Sequence, residues 1–126
     1  MGNVILIADD EPWQRMWMAQ LLHKAGFTCS TVADGASVVE QALALDPDLV
    51  ILDIVMPGMD GIAAAEQLRI LPNTRTLPIL FITGYTHSRE LQKAATFEYA
   101  EWMPKPFHPE ELLARVRRML AANQPR

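Results

Sequence analysis

The sequence predicts an α/β domain: a doubly wound sandwich of five βα units around a parallel five-stranded sheet in the order 2-1-3-4-5. Three observations predict it. Short runs rich in Val, Ile and Leu alternate with longer segments of helical spacing, the pattern of a parallel sheet with helices on both faces. The run from Leu49 to Leu52 is apolar at every position, as a strand covered on both sides must be. Polar residues collect just after the apolar runs, at the edge where open sheets of this kind bind ligands.

Each element has its own signal. Asn3 to Ala8 reads as a buried strand that ends in Asp9, Asp10 and Glu11. Pro12 suits the first turn of a helix running to about Ala25, with Gly26 as its cap. In that helix Trp17, Met18, Leu21 and Leu22 fall on the core side, and Trp13 and Met16 fall outward. Phe27 to Val32 is a second strand. Asp34-Gly35 opens a helix carrying Val38, Val39, Ala42, Leu43 and Leu45, which stops at Asp46-Pro47. The third strand delivers Asp53. After the turn-rich stretch Met56 to Gly61, Asp60 is placed to cap a helix over Ile62 to Ile70. Pro78 to Ile82 is a fourth strand, delivering Thr83 and Gly84. A weak helix spans roughly Ser88 to Ala95, and a short fifth strand spans Glu101 to Met103. The last helix, Pro109 to Ala122, sets Leu112, Leu113, Val116 and Leu120 at core spacing.

A chain of 126 residues, half of them hydrophobic, fits one domain spanning 1–126 with a sizeable core. A net charge of −4 and the lack of a basic stripe argue against direct nucleic-acid binding. Arg115, Arg117 and Arg118 read as a basic turn near a helix C-terminus, where they favour the dipole. The lone Cys29 sits in an apolar run and reads as a small buried hydrophobe. His23, His87 and His108 lack ligand spacing and read as surface residues. No apolar run approaches the ~20 residues of a membrane span, and no signal peptide is visible, so a cytoplasmic domain without membrane contact is expected.

The chemistry lies after the strands. In a 2-1-3-4-5 sheet Asp9, Asp10, Asp53, Thr83 and Lys105 converge on one crevice where the strand order reverses. Three carboxylates there repel one another and resist ionisation. A divalent cation relieves this, and carboxylates, a backbone carbonyl and waters suit Mg²⁺ (or Mn²⁺). A carboxylate beside such an ion can act as a nucleophile and form an aspartyl phosphate. Lys105 and Thr83 supply the ammonium and hydroxyl that stabilise charge on the transferring phosphoryl group.

In this order the pieces are specific: Asp9-Asp10-Glu11-Pro12, Leu52-Asp53, Met56-Pro57-Gly58-Met59-Asp60-Gly61, Thr83-Gly84 and Lys105-Pro106-Phe107. Along nearly its whole length the chain resembles a response regulator receiver domain of two-component signalling, with the flavodoxin-like fold that family has. The resemblance implies that Asp53 is the phosphoacceptor. It implies a metal held by the Asp10 and Asp53 side chains and the Val55 backbone carbonyl, with Asp9 acting through water. Thr83 and Lys105 would contact the phosphoryl oxygens, and the Lys105–Pro106 bond would be cis, against the trans default of such bonds. The family's switch couples the Thr83 hydroxyl to an aromatic residue on the fifth strand, here Trp102, and alters the face made by the fourth helix, fifth strand and fifth helix. Implied partners are a histidine kinase or histidine phosphotransfer domain, a downstream output domain or protein, and a second copy of the chain across that face. The domain would catalyse only its own phosphorylation and dephosphorylation.

The sequence also departs from the family pattern. Trp102 stands where tyrosine or phenylalanine is usual, Glu98-Tyr99 where Gly-Ala is frequent, and Pro104 directly before Lys105. These predict a bulkier switch and a non-standard approach to the fifth strand. Val55 and Tyr85 occupy positions that tune the phosphoryl lifetime, and their apolar bulk predicts slow self-dephosphorylation. An exposed Trp13–Met16 pair beside the crevice either forms a docking patch for a kinase or phosphotransfer domain or simply folds back over the helix.

Other functions fit less well. A haloacid-dehalogenase-type phosphatase would carry a second aspartate at Val55. A flavin-binding module would need a Ser/Thr/Gly loop where Asp9-Asp10-Glu11 repels phosphate, and a nucleotide hydrolase would need a glycine-rich loop with lysine. The serious alternative is a receiver-fold binding module that works without phosphorylation. No output domain follows the fifth helix, so the chain reads as a stand-alone regulator or as a piece of a longer regulator or hybrid kinase, with Asn123 to Arg126 as its tail or a linker.

Overall fold

The computed structural model describes residues 3–84 and 89–122. Ten elements alternate in chain order: β1 (Val4–Ala8), α1 (Pro12–Lys24), β2 (Thr28–Val32), α2 (Gly35–Leu45), β3 (Leu49–Asp53), α3 (Gly61–Ile70), β4 (Ile79–Thr83), α4 (Arg89–Ala94), β5 (Ala100–Pro104) and α5 (Pro109–Ala122). All strand pairs are parallel, and the order is β2-β1-β3-β4-β5. The doubly wound α/β architecture expected from the sequence is the one observed.

The caps explain where the helices start. Glu11 accepts from the Trp13 amide ahead of α1, Asp34 from Ser37 ahead of α2, and Asp60 from Ala63 ahead of α3. The Ser37 amide also holds the Asp34 carboxyl below its ordinary pKa. At α5 the Glu111 carboxylate accepts from the His108 amide, half of a capping box. α1 ends at Lys24, and Gly26 follows with φ 100°, a left-handed turn that suits glycine. Gly61 is required by packing: an added Cβ would collide with the Asp53 carbonyl oxygen, so α3 starts directly on the end of β3.

Strand alternation divides the core in two. Leu6, Ala8, Val50, Leu52, Ile79 and Phe81 face α2, α3 and α4, where they meet Val38, Ala42, Ala65 and Leu68. Ile5, Ile7, Leu49, Ile51, Leu80 and Ile82 face α1 and α5, where they meet Met18, Leu22, Leu112 and Val116. Every residue of β3 and β4 is buried, as strands covered on both faces must be. Cys29 is half-buried beside the second cluster, and burial raises its thiol pKa. Trp17 and Leu21 pack partly against the same cluster, whereas Trp13 and Met16 are 73% and 61% exposed.

Some element ends and long-range contacts differ from the sequence reading. β5 runs from Ala100 to Pro104, two residues longer than expected, because a parallel neighbour registers Ile79 with Ala100 and Thr83 with Pro104. The arginines of α5 do not serve a helix end: the helix continues to Ala122, and Arg115 and Arg118 instead pair with Glu101 on β5. Arg115 also donates to the Trp102 carbonyl at 3.1 Å. Before β5, Tyr99 takes a left-handed φ of 57°, a conformation unfavourable for a bulky residue. Arg69 of α3 holds this turn by donating to the carbonyls of Glu98, Tyr99 and Thr74, with its guanidinium 6.0 Å from the Tyr99 ring centre. Burial lowers the pKa of the Arg69 guanidinium.

Candidate functional site

The strand order reverses between β1 and β3, and there the chain leaves three aspartates. Asp9 follows β1 with no exposed surface, Asp10 is exposed, and Asp53, the last residue of β3, is 5% exposed. One carboxylate oxygen from each lies within 4.8 Å of the others. Beside them an open cavity of about 460 Å³ is lined by Asp10, Asp53, Val55, Gly84 and Lys105.

Lys105 enters from the turn after β5. Its amide donates to the Thr83 carbonyl at 2.8 Å, which ties the turn to β4, and the Lys105–Pro106 peptide bond is cis. Its ammonium lies 3.1 Å from Asp53 Oδ2 and 3.3 Å from Asp9 Oδ2. The other Asp53 oxygen accepts from the Val55 amide at 3.2 Å. The remaining Asp9 oxygen accepts from the Glu11 amide at 2.9 Å, and the Asp9 carbonyl accepts from Arg15 Nη1 at 2.7 Å. Thr83 is fully buried at the end of β4. Trp102 sits on the neighbouring strand opposite Phe81 and is 38% exposed.

The electrostatics follow from burial. Loss of water raises the Asp53 carboxyl to about 6, with the Lys105 cation pulling it down and Asp9 pushing it up. Burial draws the Lys105 ammonium down, but the Asp53 and Asp9 carboxylates outweigh this and leave its pKa raised. Two buried carboxylates thus share one ammonium, while Asp10 faces solvent. A cluster of hard oxygen donors with excess negative charge fits a divalent cation.

The structure brings together Asp9, Asp10, Asp53, Val55 and Lys105, with Thr83 one strand away and tied to the lysine turn. Tyr85 and His87 lie outside the described residues. Arg15 is the site neighbour that sequence reasoning passed over. Its only signal is its place one turn into α1, close after the acidic pair.

The comparisons with known proteins identify the family and agree with the fold. The family model described as response regulator receiver domain matches residues 5–117. The transcriptional activator protein IrlR of Burkholderia pseudomallei is 38% identical over 122 residues, covering 97% of this chain and 52% of that protein. The chain therefore spans about half the length of the curated relatives it matches. A signal receiver domain of a histidine kinase from Syntrophus aciditrophicus superposes with a TM-score of 0.91 at 28% identity, covering 99% of this chain and 95% of that one. The receiver domain of sensor histidine kinase PA1611 from Pseudomonas aeruginosa, solved with a magnesium ion in its active site cleft, superposes at 0.89 with 26% identity, covering 96% and 99%. The chain belongs to the response regulator receiver domain family of two-component signalling.

Proposed function

We propose that this receiver domain accepts a phosphoryl group on Asp53 in a metal-dependent reaction, and that the observation carrying this reading is the buried Asp53 carboxylate held 3.1 Å from Lys105 beside two further aspartates. Asp10 and Asp53 would hold Mg²⁺ or Mn²⁺ through their side chains, Val55 through its carbonyl, and Asp9 through water. When bound, the ion neutralises the clustered carboxylates and balances charge on the phosphoryl oxygens. Asp53 attacks the phosphorus of a phosphohistidine. The new bond runs from its carboxylate oxygen to phosphorus, the phosphorus–nitrogen bond breaks, and its electron pair stays on the imidazole, which takes up a proton. Lys105 turns from the carboxylate toward the transferring group, and the Thr83 hydroxyl donates to one of its oxygens. The Thr83–Trp102 pair then shifts the face of α4, β5 and α5 toward an output domain or a second copy of the chain.

Incubation with acetyl phosphate tests the metal-dependent reading. One phosphoryl group per chain is expected with Mg²⁺ and none with EDTA. A folded chain that gains none in either condition belongs instead to the phosphorylation-independent alternative. Val55 sits exposed on the cavity rim, where an apolar side chain hinders an attacking water. A phosphoryl half-life of minutes or longer is expected, and one of seconds contradicts the role of Val55 and Tyr85.

The phosphodonor protein would dock over α1. Trp13, Gln14 and Trp17 line a groove of about 540 Å³ with Lys105, Pro106 and Phe107, which brings an apolar surface to the edge of the crevice. Trp13→Ala is expected to slow transfer from a phosphorylated partner at least tenfold (roughly the loss of one central aromatic anchor) and to leave labelling by acetyl phosphate unchanged. Equal slowing with both donors contradicts docking.

A further inference from the structure

We propose that Arg15 is a positioning residue that fixes the metal-binding carboxylate of Asp10 through the backbone. The inference rests on the metal reading above. The Asp9–Asp10 peptide has one end set by Asp9, whose atoms are all engaged: its amide donates to Val32, one carboxylate oxygen accepts from Glu11 and the other faces Lys105. Its carbonyl is the remaining group, and Arg15 Nη1 takes it at 2.7 Å from the first turns of α1. That carbonyl lies in the same rigid peptide plane as the Asp10 amide and Cα, so the contact fixes the point from which the Asp10 side chain leaves the backbone. Asp10 itself is exposed, and among the described residues its carboxylate has no hydrogen bond to orient it. Arg15 is half-buried on a helix anchored by Met18 and Leu22, so the guanidinium is fixed from a rigid element.

Charge and position predict opposite outcomes. A guanidinium near a divalent cation repels it, so removing the charge alone would tighten metal binding. Loss of the positioning contact frees the Asp9–Asp10 peptide to rotate and weakens binding, as loss of outer contacts to ligating groups does. The test is isothermal titration of Mg²⁺ into the whole domain as wild type, Arg15→Met, Arg15→Gln and Arg15→Lys, each shown to be folded by circular dichroism. Arg15→Met is expected to lose about tenfold in affinity, the lower end of the range for such outer contacts. Arg15→Lys, which keeps a long donor, is expected to recover most of it. Arg15→Gln, too short to reach, is expected to behave like Arg15→Met and carries the comparison if that variant does not fold. Affinity equal to or tighter than wild type in the variants without a long donor overturns the inference, as does a lysine variant no better than methionine. A wild-type domain that binds no Mg²⁺ overturns the metal reading itself, and with it the role of Arg15.

Discussion

Lys105→Met is expected to slow phosphorylation by acetyl phosphate about 10²–10³-fold, the usual effect of removing one preorganised charge donor from a transition state. The ammonium lies 3.1 Å from the Asp53 oxygen that would attack and 3.3 Å from Asp9, so it serves as the fixed cation of the crevice. Its loss has a second consequence. Burial already raises the Asp53 carboxyl to about 6, and the lysine is the main influence holding it from going higher. Without that cation the carboxylate needed as nucleophile forms at higher pH, so the metal-free carboxyl should titrate above 6. Arginine is not expected to restore the rate, because its planar fork does not replace a compact ammonium between two carboxylates. Single-turnover rates across pH check both statements. A rate within tenfold of wild type, with an unchanged profile, contradicts the role given to Lys105.

Asp53→Asn is expected to abolish phosphorylation and at the same time to stabilise the metal-free domain. The sign follows from linkage. A carboxyl whose folded pKa is raised from 3.8 to about 6 contributes stability fully present below 3.8, and that stability is lost as pH rises through about 6. Above that range the fold holds a carboxylate that burial disfavours more than Lys105 favours it. Asparagine removes that cost, and its single amide oxygen keeps one of the two contacts, that from the Val55 amide or that from Lys105. A gain of about 1 kcal/mol is expected near neutral pH, the scale on which functional sites give up stability, shrinking toward zero near pH 4. Denaturation in EDTA at the two pH values measures it. Mg²⁺ is expected to stabilise the wild type more than the variant, since binding needs the ionised carboxylate. A variant less stable than wild type at neutral pH contradicts this account of the Asp53 environment.

The parts of the fold legible from sequence are those set by local pattern. Leu49 to Leu52 could only be a doubly covered strand, and the Asp34 and Asp60 caps were readable from residue type and position. The Asp9, Asp10, Asp53 and Lys105 set was legible because strand ends in this topology meet at one edge. Contacts made by long side chains across the fold were not. Nothing in the spacing of Arg115 and Arg118 says that they reach Glu101 on β5 rather than the end of their own helix. Arg69 and the left-handed Tyr99 are 30 residues apart in sequence and meet only through packing. Arg15 acts on a backbone carbonyl, and a carbonyl has no residue type to read. Element ends shifted where register decided them: Pro104 counts as strand because Thr83 lies beside it.

Phosphorylation of Asp53 is tested most directly by locating the phosphoryl group. An acyl phosphate is reduced by borohydride to the alcohol, which marks the acceptor as homoserine in peptide mass spectra. After incubation with acetyl phosphate and Mg²⁺, homoserine is expected at position 53 alone, and none when EDTA is present. Label on Asp9, Asp10 or a histidine, or modification that persists in Asp53→Asn, would contradict it.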